Sequence, residues 1–135
     1  MGHANNIELS KGRLQERYIV GKILGYGSFG EIRKVKDRLG GRMAAVKIMT
    51  KRLMLPKQIA RVYYEIELLK RFEHPNILKI YEYYETKEKI YIVLEYCEGE
   101  ELFDRIRSRG ETGFEENEVA TIIQQIISGV NYLHQ

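Results

Sequence analysis

The chain has 135 residues, enough for one hydrophobic core of moderate size, and a second complete domain is not expected. Its 22 basic and 19 acidic side chains give a net charge of +3, too small and too dispersed for a protein that neutralises many nucleic-acid phosphates. Cys97 is the only cysteine, so neither an intrachain disulfide nor a thiolate metal cluster is expected. We therefore predict a cytoplasmic protein that does not bind nucleic acid and holds no metal site of its own.

The amino-terminal residues 1–16 are mostly polar and show no periodicity, which predicts a flexible segment with order beginning near Arg17. Gly2 follows the first methionine and is a candidate for myristoylation, although the motif requires Ser or Thr where Asn6 stands. Apolar stretches farther along are too short, or too interrupted by glutamine, to span a bilayer. The sequence predicts no transmembrane segment, and membrane anchoring through Gly2 is the weaker alternative.

Three strands are predicted in the first half of the chain. Apolar residues predict a strand over residues 18–24, then a glycine-rich turn over 25–30 and a second strand through Ile32 and Val35. Gly40 and Gly41 suit a tight reversal, because glycine adopts positive φ at no steric cost. Residues 43–49 are therefore predicted to return antiparallel as a third strand.

After Pro56 the apolar spacing becomes helical, and Glu65 lies at the border of the resulting stripe. His74-Pro75-Asn76 ends that helix. Two further strands, over residues 77–84 and 89–96, are predicted to form a hairpin. Helices are then predicted from Glu101 to Gly110 and from Glu115 to His134. The stripe of the first helix consists of Ile59, Val62, Ile66 and Leu69.

The glycines of residues 25–30 have the spacing G-x-G-x-x-G. Dinucleotide-binding folds use the same spacing, but there the third glycine opens a helix. Here the segment Glu31–Val35 continues as a strand, which favours a hairpin whose bare peptide N–H groups approach nucleotide phosphates. Taken alone, the motif also fits an ordinary hairpin tip.

Lys47 lies in the middle of an otherwise apolar strand, where desolvating an unpaired ammonium is costly. Glu65 is the candidate partner, and the α- and β-phosphates of a nucleotide are the second. The alternatives are a Lys47 that points to solvent and a Glu65 that pairs with Arg61 one turn away. An exposed helix pair contributes about 0.3–0.5 kcal/mol, whereas breaking a buried pair costs about 3–5 kcal/mol. Lys51, Arg52, Lys57 and Arg61 form a basic flank, read as a solvated face or as a dock for a phosphorylated loop.

As a set, these residues resemble the protein kinase family over residues 18–135. The motifs that carry the resemblance are Gly25-x-Gly27-x-x-Gly30-x-Ile32, Ala45-Val46-Lys47, Glu65, His74-Pro75-Asn76, Leu94-Glu95-Tyr96 and Glu101-Leu102-Phe103-Asp104. The resemblance implies an α+β fold: a kinase-like N-lobe over residues 17–97, with a five-stranded antiparallel sheet and one helix, then the hinge exit and first C-lobe helices over 98–135. Within the family, the chain looks most similar to the calcium-dependent and calmodulin-dependent Ser/Thr kinases.

The resemblance also implies ATP and Mg²⁺ as cofactors and gives roles to individual residues. Lys47 and Glu65 would serve catalysis, Ile32 and Ala45 would cover adenine, and Leu94 would be the gatekeeper. The backbones of Glu95 and Cys97 would bind the adenine edge, and Glu101 would reach the ribose hydroxyls. The remaining nucleotide-binding residues would be Leu24, Gly25, Gly27, Ser28, Phe29 and Gly30. Nothing in the sequence near Cys97 lowers the thiol pKa, so an inert cysteine is predicted.

Neither an H-R-D nor a D-F-G motif occurs in the sequence. The resemblance implies that the catalytic loop and the magnesium ligands would follow Gln135. We predict part of a Ser/Thr kinase that phosphorylates protein hydroxyls, with this chain inactive by itself. The alternatives are a natural fragment that binds nucleotide without catalysis and a non-enzymatic interaction module. The apolar face of the last helix, with Ile122, Ile126 and Leu133, predicts self-association.

Overall fold

The computed structural model describes residues 13–135; the predictions of a flexible start over residues 1–12 and of myristoylation at Gly2 lie outside the described residues. In chain order, the helices and strands are α1 (Leu14–Arg17), β1 (Tyr18–Gly27), β2 (Gly30–Asp37), β3 (Met43–Thr50), α2 (Pro56–Leu69), β4 (Ile80–Glu85), β5 (Lys89–Glu95), α3 (Leu102–Arg109) and α4 (Glu116–Leu133). Single 3-10 turns at Lys51–Leu53 and Gly110–Thr112 follow β3 and α3.

α1 begins ahead of Arg17, the residue at which order was predicted to start. Leu14 is only 2% exposed and packs with Tyr18 in a buried cluster. Arg17 holds Asp37 through two hydrogen bonds, of 3.2 Å from Nε and 3.1 Å from Nη2. The structured region therefore includes residues that the sequence placed in the flexible segment, because one apolar residue among polar ones produces no periodic signal.

The strands form one five-stranded sheet in the order β1-β2-β3-β5-β4, and all neighbouring strands are antiparallel. The predicted five-stranded antiparallel sheet is thereby confirmed. The glycine-rich segment is a narrower turn than expected, since Gly25 pairs with Ile32 and Gly27 with Gly30. At the next reversal, Gly41 has φ 70°, the positive value for which glycine was predicted there.

Each face of the sheet carries its own buried cluster. Side chains alternate along β3, so Val46 lies in one cluster while Met49 lies in the other. α2 packs against the Met49 cluster through its predicted apolar stripe, in which Ile66 is 2% exposed. Lys47 shares the face of Met49 and therefore points to the side of the sheet that α2 covers.

The chain divides into two compact units. The first runs to Glu73 and resumes at Leu78–Tyr96, so it holds the sheet with α1 and α2. The second comprises His74–Ile77 and Cys97–Gln135, with α3 and α4. Among residues 13–135, no helix is both long and apolar enough to cross a bilayer.

Within the second unit, the segment His74–Ile77 is bound to α4. The His74 ring accepts a hydrogen bond from the Asn76 backbone N–H at Nδ1, 3.0 Å away. Its Nε2 lies 3.2 Å from Ser128 Oγ. A Cβ added to Gly129 would approach the Asn76 carbonyl oxygen to 3.2 Å, so glycine allows the segment to lie close against the helix. The prediction that His74-Pro75-Asn76 ends the helix after Pro56 is wrong, because α2 already ends at Leu69. His74 instead has structural contacts to Asn76 and α4 that the sequence did not predict.

Candidate functional site

Two glycines of the β1–β2 hairpin lie close to β3, and Gly30 is required there by a backbone neighbour. A Cβ added to Gly30 would lie 1.7 Å from the carbonyl oxygen of Ile48, because β3 passes directly beside it. A Cβ added to Gly27 would lie 3.1 Å from Lys47 Cε. Gly25 has no atom within 4 Å of its added Cβ, so no neighbour in the chain requires a glycine there. The hairpin therefore approaches β3 through bare backbone at Gly27 and Gly30.

The tip of this hairpin is formed by Ser28, which is exposed, and Phe29, which turns inward. Phe29 has φ 69°, a left-handed conformation that costs a bulky residue about 1–2 kcal/mol. Its ring packs against the Met49 cluster, and its carbonyl accepts a hydrogen bond from the Thr50 N–H at 3.1 Å. Packing and hydrogen bonding together offset the backbone strain and hold the tip against β3.

Lys47 lies beneath the glycine hairpin and is half-buried. Its Nζ lies 3.8 Å from the position that a Cβ on Gly27 would occupy. Among the described residues, no carboxylate lies within ion-pair distance of Lys47. A partly desolvated ammonium next to bare peptide groups, without a protein anion, provides a site that an anionic ligand can complete.

The predicted ion pair between Lys47 and Glu65 is not formed. Glu65 is exposed, and in the described part of the chain it pairs neither with Lys47 nor with Arg61, the alternative partner considered from the sequence. Tyr63, at the other border of the α2 stripe, packs toward the sheet and donates a hydrogen bond to Glu85, while the Glu65 carboxylate is exposed to water, where an ion pair contributes little.

The residues expected to cover adenine lie on the same side of the sheet as Lys47. Ile32 pairs with Lys47 across the β2–β3 ladder, and Ala45 pairs with Leu94 across the β3–β5 ladder. Ala45 is 8% exposed, while Ile32 and Leu94 are half-buried. Leu24, on β1, is 39% exposed. The first unit thus brings together an apolar floor and a cation beneath the glycine hairpin.

The residues expected at the adenine edge and the ribose fall in different units. Glu95 belongs to the first unit, where its backbone N–H donates to the Lys79 carbonyl at 2.9 Å and its carboxylate accepts from the Lys79 N–H at 3.2 Å. Cys97 and Glu101 belong to the second unit. Cys97 is a free, exposed thiol, and Glu101 immediately precedes α3. Their predicted contacts with a nucleotide stay predictions.

Sequence reasoning missed the cluster of Lys51, Tyr63 and Glu85 that ties α2 to β4. Lys51 had been read as part of a solvated basic flank, and the other two residues gave no signal. It also missed the Lys34 ammonium lying 4.5 Å above the ring centre of Tyr96. These contacts join residues far apart in the chain, and no local sequence pattern predicts them.

Comparison with known proteins places these observations in a family. The model described as "Protein kinase domain" matches residues 18–135. A probable myosin light chain kinase of Dictyostelium discoideum is 40% identical over 134 residues, covering 98% of this chain and 41% of that protein. Calcium-dependent protein kinase 5 of Plasmodium falciparum is 42% identical over 130 residues, covering 96% of this chain and 22% of that protein. The chain thus spans less than half the length of these relatives.

A solved structure agrees with the fold. The twitchin kinase fragment of C. elegans, described as an autoregulated protein kinase with immunoglobulin domains, superposes with a TM-score of 0.84 and 22% identity. The match covers 98% of this chain and 29% of that one, and at this identity it supports the fold alone. The family match extends over the sheet, the glycine hairpin and both units. The chain therefore belongs to the protein kinase family.

Proposed function

We propose that this chain is the ATP-binding part of a Ser/Thr protein kinase that transfers the γ-phosphoryl group of ATP to protein hydroxyls. The observation that carries the proposal is the Lys47 ammonium, which lies half-buried against Gly27 without a carboxylate partner. Relatives named as Ser/Thr and calcium-dependent kinases support the choice of reaction.

The residues of the hairpin fit a phosphate chain. Gly30 keeps the backbone close to β3, where any side chain would collide, and Gly27 lets it lie close to the Lys47 side chain. Peptide N–H groups of such a loop can donate to phosphate oxygens, and the Lys47 ammonium adds a charge-assisted hydrogen bond. Ile32, Ala45 and Leu94 supply the apolar surface on which adenine would lie. Within the same unit, the edge of adenine would bind the backbone of Glu95.

Phosphoryl transfer requires groups that these 135 residues do not supply. A hydroxyl-positioning aspartate and magnesium ligands are needed, and the H-R-D and D-F-G motifs that provide them do not occur in the sequence. Mg²⁺, when bound with ATP, would neutralise the phosphates. We therefore propose that the chain binds nucleotide but transfers no phosphate by itself, and that a protein substrate is bound by the parent kinase.

The proposal is tested by thermal unfolding of the chain with a non-hydrolysable ATP analogue. A ligand that binds only the folded state raises the midpoint by mass action. Lys47→Met should abolish most of this rise, while Lys36→Met, which removes an exposed lysine from neighbouring β2, should leave it unchanged. Equal protection of both variants would refute the role of Lys47. No protection of the unmodified chain would favour the interaction module instead.

We also propose that α4 mediates self-association of the isolated chain. Several apolar side chains on it are 42–61% exposed: Val119, Ile123, Ile126, Ile127, Val130 and Leu133. Ile126 and Leu133 were expected in this strip, whereas Ile122 is half-buried. A second copy offers the same strip, so two helices can cover each other. Light scattering that shows only monomer at high concentration would contradict this proposal. The cytoplasmic location stays a prediction.

A further inference from the structure

Tyr96 is the first residue after β5, and Lys34 of β2 contacts its ring. The Lys34 ammonium lies 4.5 Å from the ring centre, within the roughly 6 Å over which the face of an aromatic ring attracts a cation. Both side chains are half-buried, so water competes only in part for the contact. Both residues also belong to the first unit. We refer to this contact as the Lys34–Tyr96 pair.

The Lys34–Tyr96 pair lies beside the apolar floor of Ile32, Ala45 and Leu94. Lys34 is two residues beyond Ile32 in β2, so the two side chains point to the same side of the sheet. Lys34 pairs with Ala45 across the β2–β3 ladder, and Ala45 pairs with Leu94 across the β3–β5 ladder. The pair is therefore on the side of the sheet that carries Lys47, at the end of β5.

The peptide group between Glu95 and Tyr96 is held on both sides. On the Glu95 side, the backbone N–H donates to the Lys79 carbonyl at 2.9 Å, and the carboxylate accepts from the Lys79 N–H at 3.2 Å. On the other side, Lys34 holds the Tyr96 ring. In the described part of the chain, residues 96–100 form no backbone–backbone hydrogen bond, so the contact with Lys34 is what fixes Tyr96. Because a peptide group is planar, fixing both of its residues fixes the direction of its carbonyl.

The carbonyl of this peptide group belongs to Glu95, and in the proposed function it accepts a hydrogen bond from the edge of adenine. Adenine offers an amino donor at the position where guanine carries a carbonyl oxygen. A carbonyl held in one direction bonds the amino group of adenine, whereas it opposes the oxygen of guanine with a second acceptor. A carbonyl that is free to turn loses part of both effects. The direction of the Glu95 carbonyl therefore governs the preference for adenine.

We propose that Lys34 and Tyr96 are positioning residues, whose contact fixes the peptide group between Glu95 and Tyr96 and so makes the site select adenine over guanine. Neither side chain acts by touching the nucleotide, because both act through the Glu95 carbonyl. The inference deepens the proposed function, and it rests on that function for nucleotide binding at Lys47.

The proposal is tested by titrating the whole 135-residue chain with non-hydrolysable analogues of ATP and GTP. The two ligands carry the same ribose and phosphates, so the ratio of their dissociation constants reports on the base alone. Lys34→Met and Tyr96→Leu each remove the pair, whereas Lys34→Arg and Tyr96→Phe keep a cation and a ring. Arg42→Met is the matched control, because it removes a cation–π contact 3.9 Å above the ring of Tyr81, which packs against the Val46 cluster on the other face of the sheet.

Lys34→Met and Tyr96→Leu should each lower the preference for the ATP analogue about two- to fivefold, the factor that a cation–π contact between partly exposed groups supplies. The double variant should lower it no further, because either substitution alone already removes the pair. Lys34→Arg, Tyr96→Phe and Arg42→Met should keep the preference of the unmodified chain. A preference that is unchanged in Lys34→Met and Tyr96→Leu, or equally lowered in Arg42→Met, would overturn the positioning role and leave the proposed function in place.

Failure of the ATP analogue to bind the unmodified chain would overturn the proposed function, and the selection of adenine with it. Acetylation of the Lys34 amine, measured by mass spectrometry against the exposed Lys36, examines the pair without nucleotide. The relative acetylation of Lys34 should rise in Tyr96→Leu and stay unchanged in Tyr96→Phe. Equal acetylation in all three chains would overturn the pair itself.

Discussion

Gly30→Ala tests whether the glycine hairpin is shaped by the close approach of β3. The added Cβ would lie 1.7 Å from the Ile48 carbonyl oxygen and 3.3 Å from the Met49 Cα. Both obstacles are backbone atoms, which cannot turn aside as a flexible side chain can, so either β2 or β3 must shift. Overpacking of a well-packed site costs about 1–3 kcal/mol. Because the clash is with backbone, we expect Gly30→Ala to lower the free energy of unfolding by about 3 kcal/mol.

The matched control is Gly25→Ala in the same hairpin. No atom lies within 4 Å of a Cβ added there, and Gly25 is not among the glycines with positive φ. Alanine reduces the freedom of the unfolded chain, so this variant should be unchanged or more stable by about 0.4–1 kcal/mol. Urea unfolding followed by tyrosine fluorescence and circular dichroism measures both, since the chain has 10 tyrosines and no tryptophan. Coincident unfolding curves for the two variants would refute the steric argument.

Two further predictions concern the other face of the sheet. Arg17 and the backbone N–H of Leu39 hold the pKa of Asp37 below its ordinary value, so its contribution to stability is present above pH 4, the approximate unfolded pKa, and is lost as the pH falls through the lower folded value. Asp37→Asn should therefore lower the free energy of unfolding by about 1–2 kcal/mol at pH 7 and make that free energy depend less on pH in the acid range. An acid dependence equal to that of the unmodified chain would contradict this prediction. Tyr18→Phe removes a hydroxyl that donates to Glu82 and should lower the free energy of unfolding in urea by about 1 kcal/mol. Tyr26→Phe, at an 80% exposed ring, is the control. An equal loss of stability in both variants would argue against a specific hydrogen bond at Tyr18.

Local sequence patterns predicted which helices and strands form better than they predicted the residues at which these elements begin and end. The apolar stripe after Pro56 predicted α2, because helical spacing is a property of neighbouring residues. The segment Gly25–Gly30 was predicted as a turn because glycine favours turns, yet most of it lies in strands. Gly25 pairs with Ile32 and Gly27 with Gly30, so cross-strand pairing overrides the local preference of glycine for turns.

The sequence named candidate residues for the site but not their contacts. A lysine within the apolar strand Ala44–Ile48 was a candidate because an unpaired buried ammonium is costly, and the structure has Lys47 beneath the glycine hairpin. Whether the Glu65 carboxylate pairs with Lys47 depends on the orientation of α2 about its axis, and the apolar stripe alone does not fix that orientation. Tyr63 and Glu85, 22 residues apart, form a hydrogen bond that ties α2 to β4. A contact at that separation leaves no periodic trace in the sequence.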